Sequence, residues 1–134
     1  MIVDTSAVVA ILFEPDGAPY QVALHRAGAA AMSAVNAYET RVTLSGTAAG
    51  RPRFPANAVA AFGALAASAR ISIVAFDPDQ AILAHRAYLR FGRGFHAAGL
   101  NLADCAAYAL AQLRAEPLLF KGNDFSQTDV TPAI

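Results

Sequence analysis

Short apolar runs alternate along the chain with longer segments that have the spacing or the boundary signals of helices. Strands are predicted at residues 2–3, 29–33, 71–76 and 118–120, and a last short edge strand is expected to begin at Val130. Helices are predicted at residues 6–13, 17–26, 35–47, 56–69, 77–90 and 101–114. A turn is expected at residues 50–55 and a glycine-rich loop at residues 91–99.

The apolar runs show little alternation of polar and apolar positions, and helices separate them. Strands of this kind are typical of a parallel sheet whose two faces are both covered by helices. A chain of 134 residues suits one domain. The pattern therefore predicts an α/β fold over residues 1–134, a three-layer α/β/α sandwich with a parallel central sheet and helices on both faces. In such sheets, ligands bind at the carboxyl ends of the strands.

Composition and charge exclude several classes of protein. Hydrophobic residues make up 56% of the chain and charged residues 15%, which excludes a disordered protein. Ten basic residues balance ten acidic ones, so any contact with nucleic acid must rely on a local patch of charge. The single cysteine, Cys105, cannot form an internal disulfide and is predicted to be a small buried residue. Because the start lacks a signal-peptide pattern and no apolar stretch is long enough to span a membrane, a cytoplasmic protein is expected.

Two acidic residues follow predicted strands. Asp4 comes directly after the first strand, and Asp124 follows the strand that ends near Phe120. Each also has a purely local interpretation, Asp4 as the N-cap of the next helix and Asp124 as part of an Asn-Asp turn. Because the strands are parallel, both residues are expected at the same edge of the sheet.

Two further acidic residues lie on predicted helices. Glu39 shares a helix face with Val35 and Val42, so its carboxylate is expected to point towards the protein. The alternatives are an ion pair with a neighbouring arginine or a different orientation of the helix. Asp104 lies three residues after Asn101, as in a capping box, and its helical neighbours are expected to face the core.

Carboxylates brought together at one sheet edge repel one another and stay protonated unless a cation neutralises them. Oxygen ligands, without cysteine or paired histidine, favour hard ions such as Mg²⁺ or Mn²⁺. One or two such ions can bind a phosphodiester and activate water. The acidic residues therefore predict metal-dependent hydrolysis of phosphodiester bonds.

Four segments carry a resemblance to a known family: MIVDTSAVVAIL, SAVNAYET, GRGFHAAGLNLADCAAYALA and LLFKGNDFSQTDV. In order and spacing they resemble the PIN-domain ribonucleases, and among these the VapC toxins of type II toxin–antitoxin pairs. The resemblance implies a doubly wound sheet, cleavage of RNA with Mg²⁺ or Mn²⁺, and inhibition by a VapB-type antitoxin; a homodimer is also expected. It carries the acidic residues of the family onto Asp4, Glu39, Asp104 and Asp124, with Asp129 as the alternative for the fourth.

Several polar residues near these acids are candidates for contact with RNA. The candidates are Thr5, Ser6, Arg86, Arg90, Arg93 and His96. Their local interpretations are helix capping for the hydroxyl residues, a solvated face for the arginines and an ordinary loop position for the histidine. Lys121, at the end of the late strand, is expected to bind phosphate or to pair with a carboxylate.

Two predicted helices carry more apolar residues than one small sheet requires. We expect these residues to leave a groove for an amphipathic antitoxin helix, although they equally suit an ordinary core and a homodimer interface. They are Tyr20, Val22, Leu24, Val59, Phe62 and Leu65.

Two alternative functions fit parts of the sequence. A phospho-acceptor domain resembling response-regulator receivers would use Asp77 as the acceptor and Lys121 as the late-strand lysine. Such a domain leaves Glu39 and Asp104 unexplained. The second alternative is a PIN-like interaction module without catalytic activity, against which the complete set of acidic residues argues.

Overall fold

The computed structural model describes the backbone of residues 1–134 and the side chains of residues 1–47 and 49–134. Secondary structure begins with the strand β1 and ends with a short 3₁₀ helix, Phe125–Gln127. The strands are β1 (Ile2–Val3), β2 (Ala30–Ser33), β3 (Thr47–Ala48), β4 (Arg51–Pro52), β5 (Ile71–Val74) and β6 (Leu118–Leu119). The helices are α1 (Thr5–Phe13), α2 (Ala18–Ala27), α3 (Ala34–Leu44), α4 (Ala58–Ser68), α5 (Pro78–Phe91) and α6 (Leu102–Arg114).

Four strands form a parallel sheet in the order β5-β2-β1-β6. Ile2 pairs with Ala31 on one side and with Leu118 on the other, so β1 lies in the middle of the sheet. All residues of these two neighbouring strands, β1 and β2, are buried, as expected of a parallel sheet with both faces covered. The predicted α/β fold with a parallel central sheet is confirmed.

Adjacent strand residues point to opposite faces of the sheet, and each face has its own core. Ile2 and Leu118 pack with residues of α5 and α6, including Phe91. Val3 and Leu119 pack with residues of α1, α2, α3 and α4 on the other side. Helices therefore cover both faces, and the carboxyl ends of β1 and β6 remain open between the two helical layers.

The six residues expected to form a groove for a partner helix divide between the core and its margin. Leu24 and Phe62 are each 1% exposed, whereas Tyr20, Val59 and Leu65 are partly buried and pack against the same cluster. Val22 is exposed. Leu24 and Phe62 are therefore core residues rather than part of a groove, and docking of a partner helix on the other four stays a prediction.

Two predicted elements, a helix and a strand, end two or more residues earlier in the structure. The helix expected at 35–47 ends at Leu44 and is followed by the hairpin β3–β4, whose turn residues Ala49 and Gly50 have φ angles of 51° and 76°. Positive φ at both central residues is the geometry of a tight two-residue hairpin turn. The strand expected at 71–76 ends at Val74, because its partner strand β2 ends at Ser33, the residue that pairs with Val74.

The edge strand expected from Val130 is reduced to a single bridge between Leu118 and Pro132. The Leu118 N–H donates to the Thr131 carbonyl and the Ala133 N–H donates to the Leu118 carbonyl, so the pairing with β6 is centred on this one position. Val130 is nevertheless buried and belongs to the core on the α5–α6 side. Among the described residues, no helix is both long and apolar enough to cross a membrane.

Candidate active site

A cavity of about 330 Å³ opens at the carboxyl ends of β1 and β6, beside the N-terminus of α6. All four acidic residues of the main sequence prediction line it: Asp4, Glu39, Asp104 and Asp124. They come from four separate parts of the chain, and the parallel sheet is what brings them to one place.

Asp4 is the N-cap of α1 and also lines the cavity. Its Oδ2 accepts hydrogen bonds from the backbone N–H of Ser6 at 2.9 Å and from the Ser6 hydroxyl at 2.5 Å. Its Oδ1 accepts a hydrogen bond from Nδ2 of Asn36 at 3.0 Å. Burial raises the pKa of this carboxyl, which is 3% exposed. The capping role and the site role are therefore compatible.

Glu39 reaches the cavity, but not from the helix face that the sequence indicated. The buried residues of α3 are Asn36, Ala37, Thr40 and Leu44, whereas Val42 is 52% exposed. Glu39 lies at the margin of that face and is half-buried.

The hydroxyl of Thr5 at the start of α1 contacts Oε2 of Glu39 at 2.7 Å and donates to it. Burial raises the pKa of Glu39, and the nearby charge of Asp4 raises it further. A contact between two helices, rather than the periodicity of one, thus places this carboxylate.

Asp104 forms the predicted capping box. Asn101 Oδ1 accepts from the backbone N–H groups of Ala103 and Asp104, and the Asn101 N–H donates to Asp104 Oδ2 at 2.7 Å. Burial, together with the charges of the other three cavity acids, raises the pKa of Asp104 to about 7.

The structure separates the two candidates for the fourth acid. Asp124 follows Gly122, lies exposed at the mouth of the cavity, and its charge raises the pKa of Asp4 and Asp104. Asp129 is engaged elsewhere: it accepts a hydrogen bond from Tyr108 and forms an ion pair with Arg90 at 2.5 Å. The tyrosine hydrogen bond and this ion pair hold the pKa of Asp129 low.

We expect Tyr108→Phe to lower the free energy of unfolding by about 1 kcal/mol, the usual loss for one hydrogen bond. Tyr108 is buried, and its hydroxyl donates to Asp129 Oδ1 at 2.7 Å, which ties α6 to the C-terminal segment. Phenylalanine keeps the ring packed on Phe91. Denaturant unfolding at neutral pH measures the change, and an unchanged midpoint would show that the hydrogen bond does not contribute to stability.

The chemistry of the cavity suits a hard divalent cation. Its carboxylates raise one another's pKa, so a bound cation would relieve their repulsion, and every donor is oxygen. In the part of the chain that the structure describes, no three His, Cys, Asp or Glu side chains are already arranged to hold an ion. Asp4, Glu39 and Asp104 instead accept hydrogen bonds from protein donors.

Sequence reasoning missed Glu14, a further acid of the cavity, and the ion pairs that Lys121 forms at the rim. Lys121 pairs with both Glu14 and Asp16 at the rim, the latter at 2.6 Å. These partners raise the pKa of Lys121. The lysine thus has the carboxylate pairing that was one of its two expected roles. A lysine after a strand was visible in the sequence, but its partners were not.

The candidates for RNA contact fall into two groups. Thr5 and Ser6 line the cavity, and Ser6 Oγ also accepts the backbone N–H of Lys121 at 3.0 Å, which joins the ends of β1 and β6. Arg86, Arg90, Arg93 and His96 are exposed and are not among the residues that line the acidic cavity.

The expected basic stripe is interrupted by the end of its helix. α5 ends at Phe91, so Arg93 lies beyond the helix, while Arg90 stacks on the ring of Phe91 and pairs with Asp129. His96 accepts the N–H of Ala98 at Nδ1, a local contact that shapes the loop. The structure therefore supports local roles for Arg90 and His96.

Comparison with known proteins places the chain in a family. A family model described as the PIN domain matches residues 1–130. The chain belongs to the PIN-domain family. Ribonuclease VapC of Mycolicibacterium smegmatis is 40% identical over 131 residues, which cover 97% of each chain. Ribonuclease VapC28 of Mycobacterium tuberculosis is 44% identical over 136 residues, which cover 100% of this chain and 98% of VapC28. Within the PIN domains, the chain therefore groups with the VapC ribonucleases.

A solved structure shows the same fold. Mycobacterium tuberculosis VapC20, described as a sarcin-ricin loop cleaving toxin, matches this PIN domain with a TM-score of 0.75 over 97% of this chain and 95% of VapC20. Sequence identity between the two is 16%, so this likeness concerns the fold alone.

The phospho-acceptor alternative is not supported. Asp77, its proposed acceptor, is the N-cap of α5 and accepts the backbone N–H of Gln80 at 2.8 Å. Lys121 pairs with acids at the cavity rim. The PIN domain accounts for the acidic residues that a receiver left unexplained.

Proposed function

We propose that this PIN domain, a single domain over residues 1–134, is a VapC-type toxin that cleaves RNA with the help of a divalent metal ion. The observation that carries the proposal is the convergence of Asp4, Glu39, Asp104 and Asp124 on one cavity, in a chain 37–44% identical to VapC ribonucleases. Neither the fold nor the acids alone would identify the reaction, because PIN-like sheets and acidic clusters each occur with other functions.

The ion that we propose is Mg²⁺ or Mn²⁺, held by Asp4 and Asp104, with Glu39 and Asp124 completing the site or orienting water. When bound, such an ion polarises a phosphodiester and lowers the pKa of water, so that no covalent enzyme intermediate is needed. The chain itself keeps the acids in place. Thr5 holds Glu39, the capping box holds Asp104, and Ser6 holds Asp4.

The acids of the cavity repel RNA, because both the carboxylates and the phosphates are negatively charged. The bound cation would offset that repulsion, and Thr5 and Ser6 would offer hydroxyl groups to phosphate oxygens. With equal numbers of basic and acidic residues, bulk charge adds little to affinity. We therefore expect modest affinity for RNA that falls as salt rises.

The test of activity is cleavage of total RNA by the purified chain, with mapping of the new 5′ ends. We expect fragments with Mg²⁺ or Mn²⁺ and none with EDTA. Intact RNA under all metal conditions would overturn the proposed activity and favour a PIN-like interaction module.

We propose that the chain binds a VapB-type antitoxin in the cytoplasm. We also propose that the chain forms a homodimer. A positively charged side chain of the antitoxin near Asp4 and Asp104 would neutralise these acids in place of the metal ion. We expect the chain to be toxic when expressed alone, and to copurify with the product of a neighbouring small open reading frame that suppresses the toxicity. A chain that is harmless alone and retains no such partner would contradict the toxin assignment, even with ribonuclease activity in vitro.

A further inference from the structure

Asn36 is a fully buried amide that contacts two different parts of the cavity wall. Its Nδ2 donates to Oδ1 of Asp4 at 3.0 Å, at the end of β1, and to the carbonyl of Ala103 at 3.1 Å, in the first turn of α6. Ala103 directly precedes Asp104. One NH₂ group therefore links the carboxylate of Asp4 to the backbone that carries Asp104.

The orientation of this amide follows from its partners. Both N–H bonds point to acceptors, whereas Oδ1 has no hydrogen-bond partner among the described residues. Rotating the amide by half a turn would place Oδ1 against the Asp4 carboxylate and the Ala103 carbonyl, both of which are acceptors. The structure thus leaves one buried oxygen unpaired while both donors serve the cavity wall.

Asn36 also belongs to the helix that carries Glu39. It lies one turn before Glu39 on α3, and its backbone carbonyl accepts a hydrogen bond from Thr40 at 2.8 Å and contacts the Thr5 hydroxyl at 3.2 Å. Thr5 in turn contacts Glu39. The side chain and backbone of one residue therefore connect the elements that bear three of the proposed metal ligands, Asp4, Glu39 and Asp104.

We infer that Asn36 is a positioning residue of the active site, which fixes the spacing of Asp4 and Asp104 so that both can bind the same metal ion. The inference rests on the proposed function. Residues that orient metal ligands through hydrogen bonds commonly change metal affinity or activity by about 10–100-fold when they are removed. Asparagine suits this place because its two donors meet two acceptors without adding a further negative charge.

Gln80 provides a matched control. It is also a buried amide, it also donates to a backbone carbonyl, that of Ala75, and its Oε1 is likewise unpaired. It lies at the start of α5 and is not among the residues that line the acidic cavity. Replacing Gln80 thus removes a buried amide without touching the acids.

The experiment compares Asn36→Ala, Asn36→Leu and Gln80→Leu in the full chain. Leucine has the branching of asparagine at Cγ but no polar atom, so it removes both donors and fills the space that alanine would leave empty. Asn36→Leu therefore keeps the test open if the alanine variant does not fold. Mn²⁺ binding is followed by calorimetric titration and by the Mn²⁺ dependence of the melting temperature. RNA cleavage at saturating Mn²⁺ then gives kcat and KM separately.

We expect the Asn36 variants to need roughly ten times more Mn²⁺ for half-saturation, or more, and to lose kcat more than they raise KM. Gln80→Leu is expected to stay within about twofold of the parent in Mn²⁺ half-saturation, since it removes no contact to the cavity acids. A parental Mn²⁺ midpoint and kcat in a folded Asn36 variant would overturn the inference alone. A parent chain that binds no Mn²⁺ would overturn the proposed function and this inference with it.

Discussion

Asp4→Asn is expected to reduce kcat for metal-dependent RNA cleavage by ~10³-fold or more. A metal ion acting as a Lewis acid contributes several kcal/mol to the transition state, and each 1.36 kcal/mol corresponds to about tenfold in rate. Asparagine has almost the shape of aspartate and can still accept the Ser6 N–H, but it has lost the charge that would bind the ion. The measurement is single-turnover cleavage of a defined RNA at saturating Mn²⁺.

Asp129→Asn is the matched control for this substitution. Asp129 carries the same charge but pairs with Arg90 and Tyr108 away from the cavity. We expect the control variant to cleave RNA at nearly the parental rate. Parental activity in Asp4→Asn would exclude a role for this carboxylate, and equal losses in both variants would indicate a general effect of charge or stability.

Asp104→Asn is expected to stabilise the metal-free protein by about 2 kcal/mol near pH 8. This value is roughly half of the free energy that corresponds to a rise in pKa from 3.8 to about 7, at 1.36 kcal/mol per pKa unit. The sign follows from proton binding. Because the folded-state pKa lies above the unfolded value, the native protein binds more protons between about pH 4 and 7, and the unfolding free energy contributed by Asp104 falls as pH rises through that window. Asparagine removes this loss and can still accept the N–H of Asn101.

Denaturant unfolding of parent and variant across this pH range, with EDTA, measures the effect. The stability difference is expected to be largest near pH 8 and to vanish towards about pH 4, where the parental carboxyl is protonated. With Mn²⁺ present, the parent should gain stability by mass action, and the variant should gain less. Asp16→Asn is a control of opposite sign, since the hydrogen bond from Lys121 lowers the pKa of this exposed residue. If the difference in unfolding free energy between the parent and Asp104→Asn did not change with pH, burial would not raise the pKa of Asp104.

Local sequence signals were sufficient for two of the cavity acids. Asp4 follows an apolar strand and caps a helix, and Asp104 stands at the third position of a capping box. Both signals lie within a few residues of the acid itself. The position of Glu39 was harder to predict. Val42 was expected to lie on the buried face of α3, but it is exposed in the structure. Glu39 reaches the cavity through a contact with Thr5, which no periodicity encodes.

Other features depend on tertiary contacts that a single sequence does not display. Asp124 and Asp129 are five positions apart, and the partners Arg90 and Tyr108 are what distinguish them. Asn36 is an uncharged residue inside a helix, and its two partners come from distant elements. The hairpin β3–β4 is short, and the helix before it ends next to Gly46, a stop signal that the predicted helix ran through. The sequence was most informative where the chemistry is charged and local.

Anomalous diffraction from crystals of the parent chain soaked in MnCl₂ shows directly whether a divalent cation binds among the acids. We expect an anomalous peak in the cavity at the carboxyl ends of β1 and β6, with carboxylate oxygens of Asp4 and Asp104 as ligands. The same soak of Asp4→Asn crystals should show a weaker peak or none. A cavity without an anomalous peak in the parent at saturating Mn²⁺, or a peak bound only by residues outside it, would contradict the account.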